Sequence, residues 1–121
     1  MKKVFSLLAF VALSLATFAG VVVGDAAPDF KLKNIDGKTV SLADFKDAKG
    51  IIVVFTCNHC PYAVAYEDRI IALDKALRSK GFPVVAINPN DATKYPDDNF
   101  DGMVKRAKEK NFTFPYLHDD T

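Results

Sequence analysis

The stretch "GIIVVFTCNHCPY", residues 50–62, places two cysteines at a change of sequence pattern. Gly50 to Thr56 is a continuous apolar, β-branched run, which predicts a strand buried on both faces in a parallel sheet. From Pro61 to Lys80, apolar residues recur at steps of three and four, which predicts a helix. Cys57 and Cys60 should therefore lie where a buried strand ends and a helix begins.

The predicted helix has an apolar stripe and a charged side. The stripe consists of Ala63, Tyr66, Ile70, Leu73 and Leu77, and the charged side includes Glu67, Asp68, Asp74, Lys75 and Arg78. Gly81 is a typical residue just past a helix end. The helix is therefore expected to pack through the stripe and to expose its carboxylates to solvent.

The remaining segments alternate strands with helices. "FPVVAINP", residues 82–89, predicts a second buried strand and completes a βαβ unit. A second helix is expected around Phe100, Met103, Val104 and Ala107, and "FTFPYLHDD" begins a third strand. Upstream, Asp36-Gly37 predicts a hairpin turn, and Ser41 predicts the cap of a short helical turn that ends at Phe45. The fold class is therefore α/β with a mostly parallel sheet.

The first 19 residues have the parts of a secretory signal peptide. Lys2 and Lys3 precede an apolar stretch from Val4, and small residues at positions 17 and 19 predict cleavage after Ala19. The apolar stretch is shorter than the roughly 20 residues that span a bilayer, which argues against a retained anchor. Residues 20–121 are then one domain, and localisation is expected to be periplasmic or secreted.

Charge and cysteine usage restrict the function classes. The chain has a net charge of +1, and without residues 1–19 about −1, so neither a nucleic acid nor an anionic membrane is an expected partner. Cys57 and Cys60 are the only cysteines. In an oxidising compartment they should form either a mutual disulfide or a working dithiol. A purely structural bridge is less favoured, because so small a loop removes little chain entropy.

The predicted strand-to-helix position gives the thiols a chemical role. Unpaired N–H groups and partial positive charge at a helix start stabilise a thiolate, so we expect a lowered pKa at Cys57. The CxxC spacing allows Cys60 to resolve a mixed disulfide. His59 can donate to the thiolate or attract it, and Pro61 suits the first helical turn. A solvated histidine without effect is the alternative for His59.

Several segments together resemble one family. "APDFKLKNIDGKTVSL", "FTCNHCPYAVAYEDR", "INPNDATKYPDDNFDGM" and "FPYLHDD" are similar to the thioredoxin-like superfamily, in the redoxin or AhpC/TSA branch, and to its peroxiredoxin-like members that carry CNHCP. The likeness extends from about Val21 to Thr121. It implies a thioredoxin-like fold with an N-terminal hairpin extension, Cys57 as the attacking thiol and Cys60 as the resolving one.

The sequence departs from this family at three places. If Cys60 were a peroxidatic cysteine, the expected Pro and Thr would fall at Val53 and Cys57. Thr56 stands where thioredoxins usually have Trp, and the apolar strand supplies no internal carboxylate. The family's cis-proline strand, edge strand and last helix would follow Thr121, so we interpret the chain as a C-terminally truncated member.

The leading hypothesis is an exported thiol-disulfide oxidoreductase with catalytic residues Cys57, Cys60 and His59. It needs no cofactor besides the redox-active disulfide Cys57–Cys60. Its expected partners are protein or small-molecule thiols and disulfides, together with a redox partner protein. Two alternatives remain open: a copper- or zinc-handling protein that binds the ion through Cys57, Cys60 and His59, and a peroxiredoxin-like antioxidant protein.

Overall fold

The computed structural model describes residues 20–120. Its helices are α1 (Pro61–Leu77) and α2 (Phe100–Lys110), and its strands are β1 (Lys31–Asn34), β2 (Thr39–Ser41), β3 (Ile52–Phe55), β4 (Val84–Asn88) and β5 (Tyr116–His118). Short 3-10 turns span Leu42–Phe45, Arg78–Lys80 and Pro96–Asp98. The predicted signal peptide, residues 1–19, lies outside the described residues, so its cleavage stays a prediction.

The N-terminal hairpin is confirmed. Strands β1 and β2 pair antiparallel around a turn in which Gly37 has φ +82°, a conformation that favours glycine. Ser41 caps the following 3-10 turn, because its backbone N–H and its hydroxyl both donate to the Asp44 carboxylate. The hairpin then joins the main sheet through β1, which runs antiparallel to β5.

The five strands form one mixed sheet in the order β2-β1-β5-β4-β3. The three strands that follow the hairpin, β3, β4 and β5, are parallel to one another. Every residue of β4 is buried, and its side chains alternate between two apolar clusters. One cluster joins Val84 and Ala86 to the helices, and the other joins Val85 and Ile87 to the hairpin side. The predicted α/β fold class is confirmed.

Strand β3 corrects one expectation. It is parallel to β4 as predicted, but only one of its faces is covered, because Ile52 and Val54 pack against the helix-side core. On the other face Val53 is 42% exposed and Phe55 is 69% exposed. The strand lies at the edge of the sheet, and the hairpin-side cluster does not extend over it within residues 20–120.

Helix α1 corrects a second expectation, because it is rotated relative to the predicted stripe. Tyr66 and Leu73 of the stripe are exposed, whereas Glu67, Ile71 and Asp74 are buried. The two buried carboxylates have cationic partners: Arg106 of α2 makes a bidentate contact with Glu67, and Arg78 pairs with Asp74. Paired carboxylates can be buried where unpaired ones cannot, and a periodicity argument does not see the partner.

Neither helix among residues 20–120 is both long enough and apolar enough to span a bilayer.

The carboxyl ends of the parallel strands β3 and β4 lie side by side. The CxxC segment leaves β3 at this end, and the loop of residues 89–99 leaves β4 there. The sheet therefore brings these two connections together, although they are about 40 residues apart in sequence.

Candidate dithiol site

The two cysteines lie in the loop between β3 and α1. Cys60 is the N-cap residue of α1, and Pro61 occupies the first helical position, where no backbone N–H is needed. Both cysteines are free thiols and are half-buried. They line one open groove of about 340 Å³, whose walls also include Phe55, Thr56, Ala63, Pro89 and Asn90. The predicted position of the dithiol at a strand-to-helix junction is confirmed.

The expected acidity of Cys57 is wrong for this free-thiol state. The backbone N–H groups of Ala63 and Tyr62, at the start of α1, lower the pKa of Cys60, and the Cys57 thiol adds a further hydrogen bond to the Cys60 sulfur. Burial raises the pKa of Cys57, and the nearby charge of Asp98 raises it further. The helix start therefore favours a thiolate at its own cap residue, Cys60, whereas the surroundings of Cys57 favour the protonated thiol.

A buried carboxylate lies beside the dithiol. Asp98 has no exposed surface, and it comes from the 3-10 turn before α2. Its Oδ1 accepts the backbone N–H of Asn58 at 2.7 Å, and its Oδ2 accepts the Asn90 amide at 2.6 Å and His59 Nδ1 at 2.8 Å. Burial alone would raise its pKa, but hydrogen bonds from Asn90, His59 and Asn58 lower the pKa of Asp98. The carboxylate is therefore held ionised.

His59 is tied to that carboxylate. The hydrogen bond from Nδ1 to Asp98 raises the pKa of His59, and the charge of Asp97 adds to the effect. The ring also stacks on Tyr95, with centroids 5.9 Å apart and an angle of 24° between the planes. A ring nitrogen of His59, the Cys57 sulfur and an Asp98 oxygen all lie within 4.8 Å of one another. His59 is thus oriented by its contacts rather than freely solvated.

The backbone of the CxxC loop is held by a second set of bonds through Asn58. The Asn58 amide donates to the Asp97 carbonyl at 3.0 Å, and its oxygen accepts the Tyr116 hydroxyl at 2.9 Å. Tyr116 is 1% exposed, and burial raises the pKa of its phenol well above the usual range. It therefore acts as a neutral donor from β5, and the loop is fixed from both sides.

A buried carboxylate accompanies the dithiol, although the sequence pattern indicated none. The strand before Cys57 has none, as predicted, but Asp98 reaches the site from the loop after β4. The polar stretch "NDATKYPDDN", between a strand and a helix, is a weak signal of this carboxylate. Because the carboxyl ends of adjacent parallel strands share one sheet edge, such a loop is a candidate neighbour of the CxxC.

A metal ion fits the cluster poorly. The donor atoms close enough to surround one ion belong to Cys57, His59 and Asp98, not to the expected set of Cys57, Cys60 and His59. Asp98 already accepts three N–H donors, one of them His59 Nδ1, so its charge is satisfied without an ion. The arrangement is therefore that of a hydrogen-bond network around a thiol.

Comparisons with known proteins agree with this chemistry. The model of the AhpC/TSA family matches residues 23–121. Thiol-disulfide oxidoreductase ResA of Oceanobacillus iheyensis is 36% identical over 101 residues, which cover 80% of this chain and 48% of ResA. Peroxiredoxin Q of Gentiana triflora is 28% identical over 106 residues, which cover 84% of this chain and 42% of that protein.

A solved structure supports the fold. The thiol:disulfide interchange protein of the thioredoxin family from Chlorobium tepidum superposes with a TM-score of 0.63 at 25% identity, covering 76% of this chain and 58% of that one. The chain spans about half the length of the curated relatives it matches. The match to the family model, which covers most of the sequence, nevertheless identifies the chain as a member of the AhpC/TSA family of thioredoxin-like redox proteins.

Proposed function

We propose that this chain is an exported thiol-disulfide oxidoreductase that uses Cys57 and Cys60 as its redox pair. One observation carries the proposal: the two free thiols lie at the start of α1, the Cys57 thiol is hydrogen-bonded to the Cys60 sulfur, and both open into the same groove. Such a pair can attack a disulfide and then close on itself. The named activity of ResA, a relative at 36% identity, supports the same chemistry.

The exchange takes place in two substitutions. A thiolate of the pair attacks one sulfur of a substrate disulfide and expels the other as a thiolate, leaving a mixed disulfide. The second cysteine then loses its proton and attacks the first, so that Cys57–Cys60 forms and the remaining substrate thiol leaves. In sum, the dithiol is oxidised by two electrons and the substrate disulfide is reduced to two thiols. The reverse direction oxidises substrate thiols.

The groove favours an extended substrate. It is open to solvent, and Phe55 and Ala63 give it apolar walls near the sulfurs. A protein segment that carries a cysteine can therefore lie across the pair, and small thiols can also enter. A separate redox partner protein is needed to return the pair to its starting state after each turnover.

The test measures turnover and redox equilibrium together. The chain should catalyse reduction of insulin by dithiothreitol, and its dithiol should come to equilibrium with a glutathione buffer. Cys57→Ser and Cys60→Ser should each abolish turnover. Activity that survives in both variants, or wild-type protein without turnover in either direction, would exclude the proposal. Hydroperoxide consumption without disulfide exchange would favour the antioxidant alternative instead.

The order of attack needs its own experiment. The family resemblance assigns the attack to Cys57, whereas the α1 amides lower the pKa of Cys60. A single-cysteine variant that keeps the attacking sulfur should accumulate a mixed disulfide with a cysteine-containing peptide, detected by mass. Trapping in Cys60→Ser and not in Cys57→Ser identifies Cys57 as the attacking residue, and the opposite result identifies Cys60.

Export is tested on the expressed protein. Cleavage after Ala19 predicts a mature chain that begins at Gly20 and is found outside the cytoplasm. Cell fractionation followed by N-terminal sequencing checks both points. Intact residues 1–19 on a cytoplasmic protein would contradict export without affecting the proposed chemistry.

A further inference from the structure

Asp98 bonds mainly to the CxxC loop, which a carboxylate that only stabilises the fold would not need to do. The carboxylate is fully buried and lies in a different loop from the dithiol, yet two of its three partners, Asn58 and His59, are the two residues between the cysteines. One of its oxygens and one ring nitrogen of His59 lie within 4.8 Å of the Cys57 sulfur. The tetrad of Cys57, Asn58, His59 and Asp98 therefore links the proton-carrying thiol to a buried anion.

We propose that Asp98 is a positioning residue that holds His59 in the Nδ1–H form, so that the free ring nitrogen Nε2 can take the proton of Cys57. This inference rests on the proposed oxidoreductase function and adds to it the route by which the proton leaves. The chemical reason is that a carboxylate bonded to one imidazole nitrogen fixes the tautomer and stabilises the imidazolium that forms.

The proton transfer balances without a further reactant. The Cys57 thiol and neutral His59 become a Cys57 thiolate and a protonated His59, whose Nδ1–H stays bonded to the Asp98 carboxylate. In either order of attack Cys57 must lose this proton before the Cys57–Cys60 bond can form. The proton then passes from His59 to the departing substrate thiolate or to solvent, and the site is reset.

Other titratable groups lie near His59 and Asp98. The CxxC loop contributes the Cys57 and Cys60 thiols, and the loop before α2 contributes the Asp97 carboxylate and the Tyr95 phenol ring. From β5, Tyr116 is neutral. Glu67 and Arg106, which act on Tyr116 from the helices, offset each other as an ion pair. Asp98 is therefore the one carboxylate among these groups that bonds to the imidazole.

The first test is the tautomer of His59 in Asp98→Asn. With the oxygen of the new amide kept toward the Asn58 N–H, its NH₂ takes the place of Oδ2 and faces both the Asn90 amide and Nδ1; the Asn90 amide must then turn its oxygen inward, and Nδ1 must accept a hydrogen bond. We expect ¹⁵N NMR to show an Nδ1–H tautomer in the wild type and an Nε2–H tautomer in the variant. The His59 pKa should also fall. A wild-type ring that is neutral and protonated at Nε2 would overturn the proposal, and this needs no variant to fold.

The second test is the alkylation rate of Cys57 in a Cys60→Ser background. Loss of the Asp98 charge alone would lower the pKa of Cys57 and speed its alkylation, because that charge raises the pKa. Loss of the positioned imidazole slows it, by about 10-fold at neutral pH if one charge-assisted hydrogen bond is removed. The two roles thus predict opposite signs, and an unchanged or faster rate in Asp98→Asn overturns the proposal.

Matched variants distinguish the Asp98–His59 bond from a general effect of negative charge and from a loss of stability. Asp97→Asn removes a charge one residue away that does not bond to His59, and it should leave the tautomer unchanged. Asp74→Asn removes a different fully buried carboxylate and should leave Cys57 alkylation unchanged. His59→Gln, which keeps the Asp98 charge, should slow alkylation at least as much as Asp98→Asn, and the double variant should be no slower than His59→Gln alone. Additive losses would show that the two residues act separately and would overturn the proposal.

Failure here is distinguishable from failure of the proposed function. Alkylation and NMR report on the Cys57 proton without any disulfide substrate. An inactive wild-type chain with the expected tautomer and alkylation rates would reject the oxidoreductase function only. An active chain in which Asp98→Asn changes neither the tautomer nor the alkylation rate would reject the role of Asp98 only.

Discussion

Strand β4 begins beside one buried aspartate and ends beside another. Asp74 of α1 accepts the Val84 N–H at 3.0 Å at the start of the strand, and it also accepts the hydroxyl of Thr113 at 2.6 Å. Asp98 lies past the other end, where its own carbonyl accepts the amide of Asn88. Both carboxylates are 0% exposed. A buried carboxylate therefore lies at each end of one strand, but the two carboxylates have different hydrogen-bond partners.

The partners of each carboxylate determine what it can do. Asp74 pairs with Arg78 at 2.8 Å, and a guanidinium stays charged throughout the physiological range. Asp98 has no such partner among the described residues; its donors are two amides and an imidazole, which is charged only when it is protonated. A carboxylate with a permanent cation stabilises the fold, whereas one paired with histidine can respond when a neighbouring thiol loses its proton.

The largest expected effect is that of Asp74→Ala at the structural end. The substitution leaves Arg78, Thr113 and the Val84 N–H without their acceptor, so we expect a loss of about 3–5 kcal/mol in the free energy of unfolding. Urea denaturation followed by circular dichroism measures it. Asp68→Ala on the same helix removes an exposed carboxylate and should cost about 0.5 kcal/mol or less. Equal losses in the two variants would contradict the comparison.

The next largest effect is expected for glycine substitutions near the two ends of β4. A Cβ at Gly102 would lie 2.8 Å from the Asp97 carbonyl and 3.1 Å from the Asn58 amide, and we expect overpacking to cost about 1–3 kcal/mol. Gly81→Ala, just before β4, places an L-residue at φ +92° and should cost about 1 kcal/mol or more. Both lower the urea midpoint, but only Gly102→Ala should change the alkylation rate of Cys57. A change with Gly81→Ala would mean that the ends are coupled.

Local patterns predicted most of the fold, because hairpin, cap and strand signals act over a few residues. The Asp36-Gly37 turn, the Ser41 cap and the N-terminal position of the dithiol on α1 were all predicted correctly. The prediction of which side of α1 is buried was wrong, because Glu67 is buried only where Arg106, 39 residues away, reaches it. No local pattern encodes such a partner.

The candidate site divides in the same way. Cys57, His59 and Cys60 could be selected from spacing alone, but Asp98 could not, because its role depends on which loops share an edge of the sheet. The expected acidity of Cys57 failed for a related reason. The helix start was predicted correctly, but the cap residue is Cys60, so the amides of Tyr62 and Ala63 act on its sulfur.

The smallest expected effect is a pH dependence that only the dithiol end should show. The bond to Asp98 raises the folded-state pKa of His59 above its usual 6.5. The stability that this bond contributes is therefore fully present below 6.5 and is lost as pH rises through the raised pKa. Asp74 and Asp98 have lowered pKa values, so their contributions are present above the usual 3.8 and are lost only as pH falls through those lowered values.

Unfolding free energies of wild type and His59→Gln should accordingly differ more at about pH 5.5 than at about pH 9, whereas those of wild type and Asp74→Asn should differ equally at both. Urea titrations at the two pH values, at constant ionic strength, give both differences. A constant His59→Gln difference would mean that the Asp98 bond does not depend on the imidazole charge. The two buried aspartates would then be equivalent structural anchors, and the distinction between the ends of β4 would have no energetic basis.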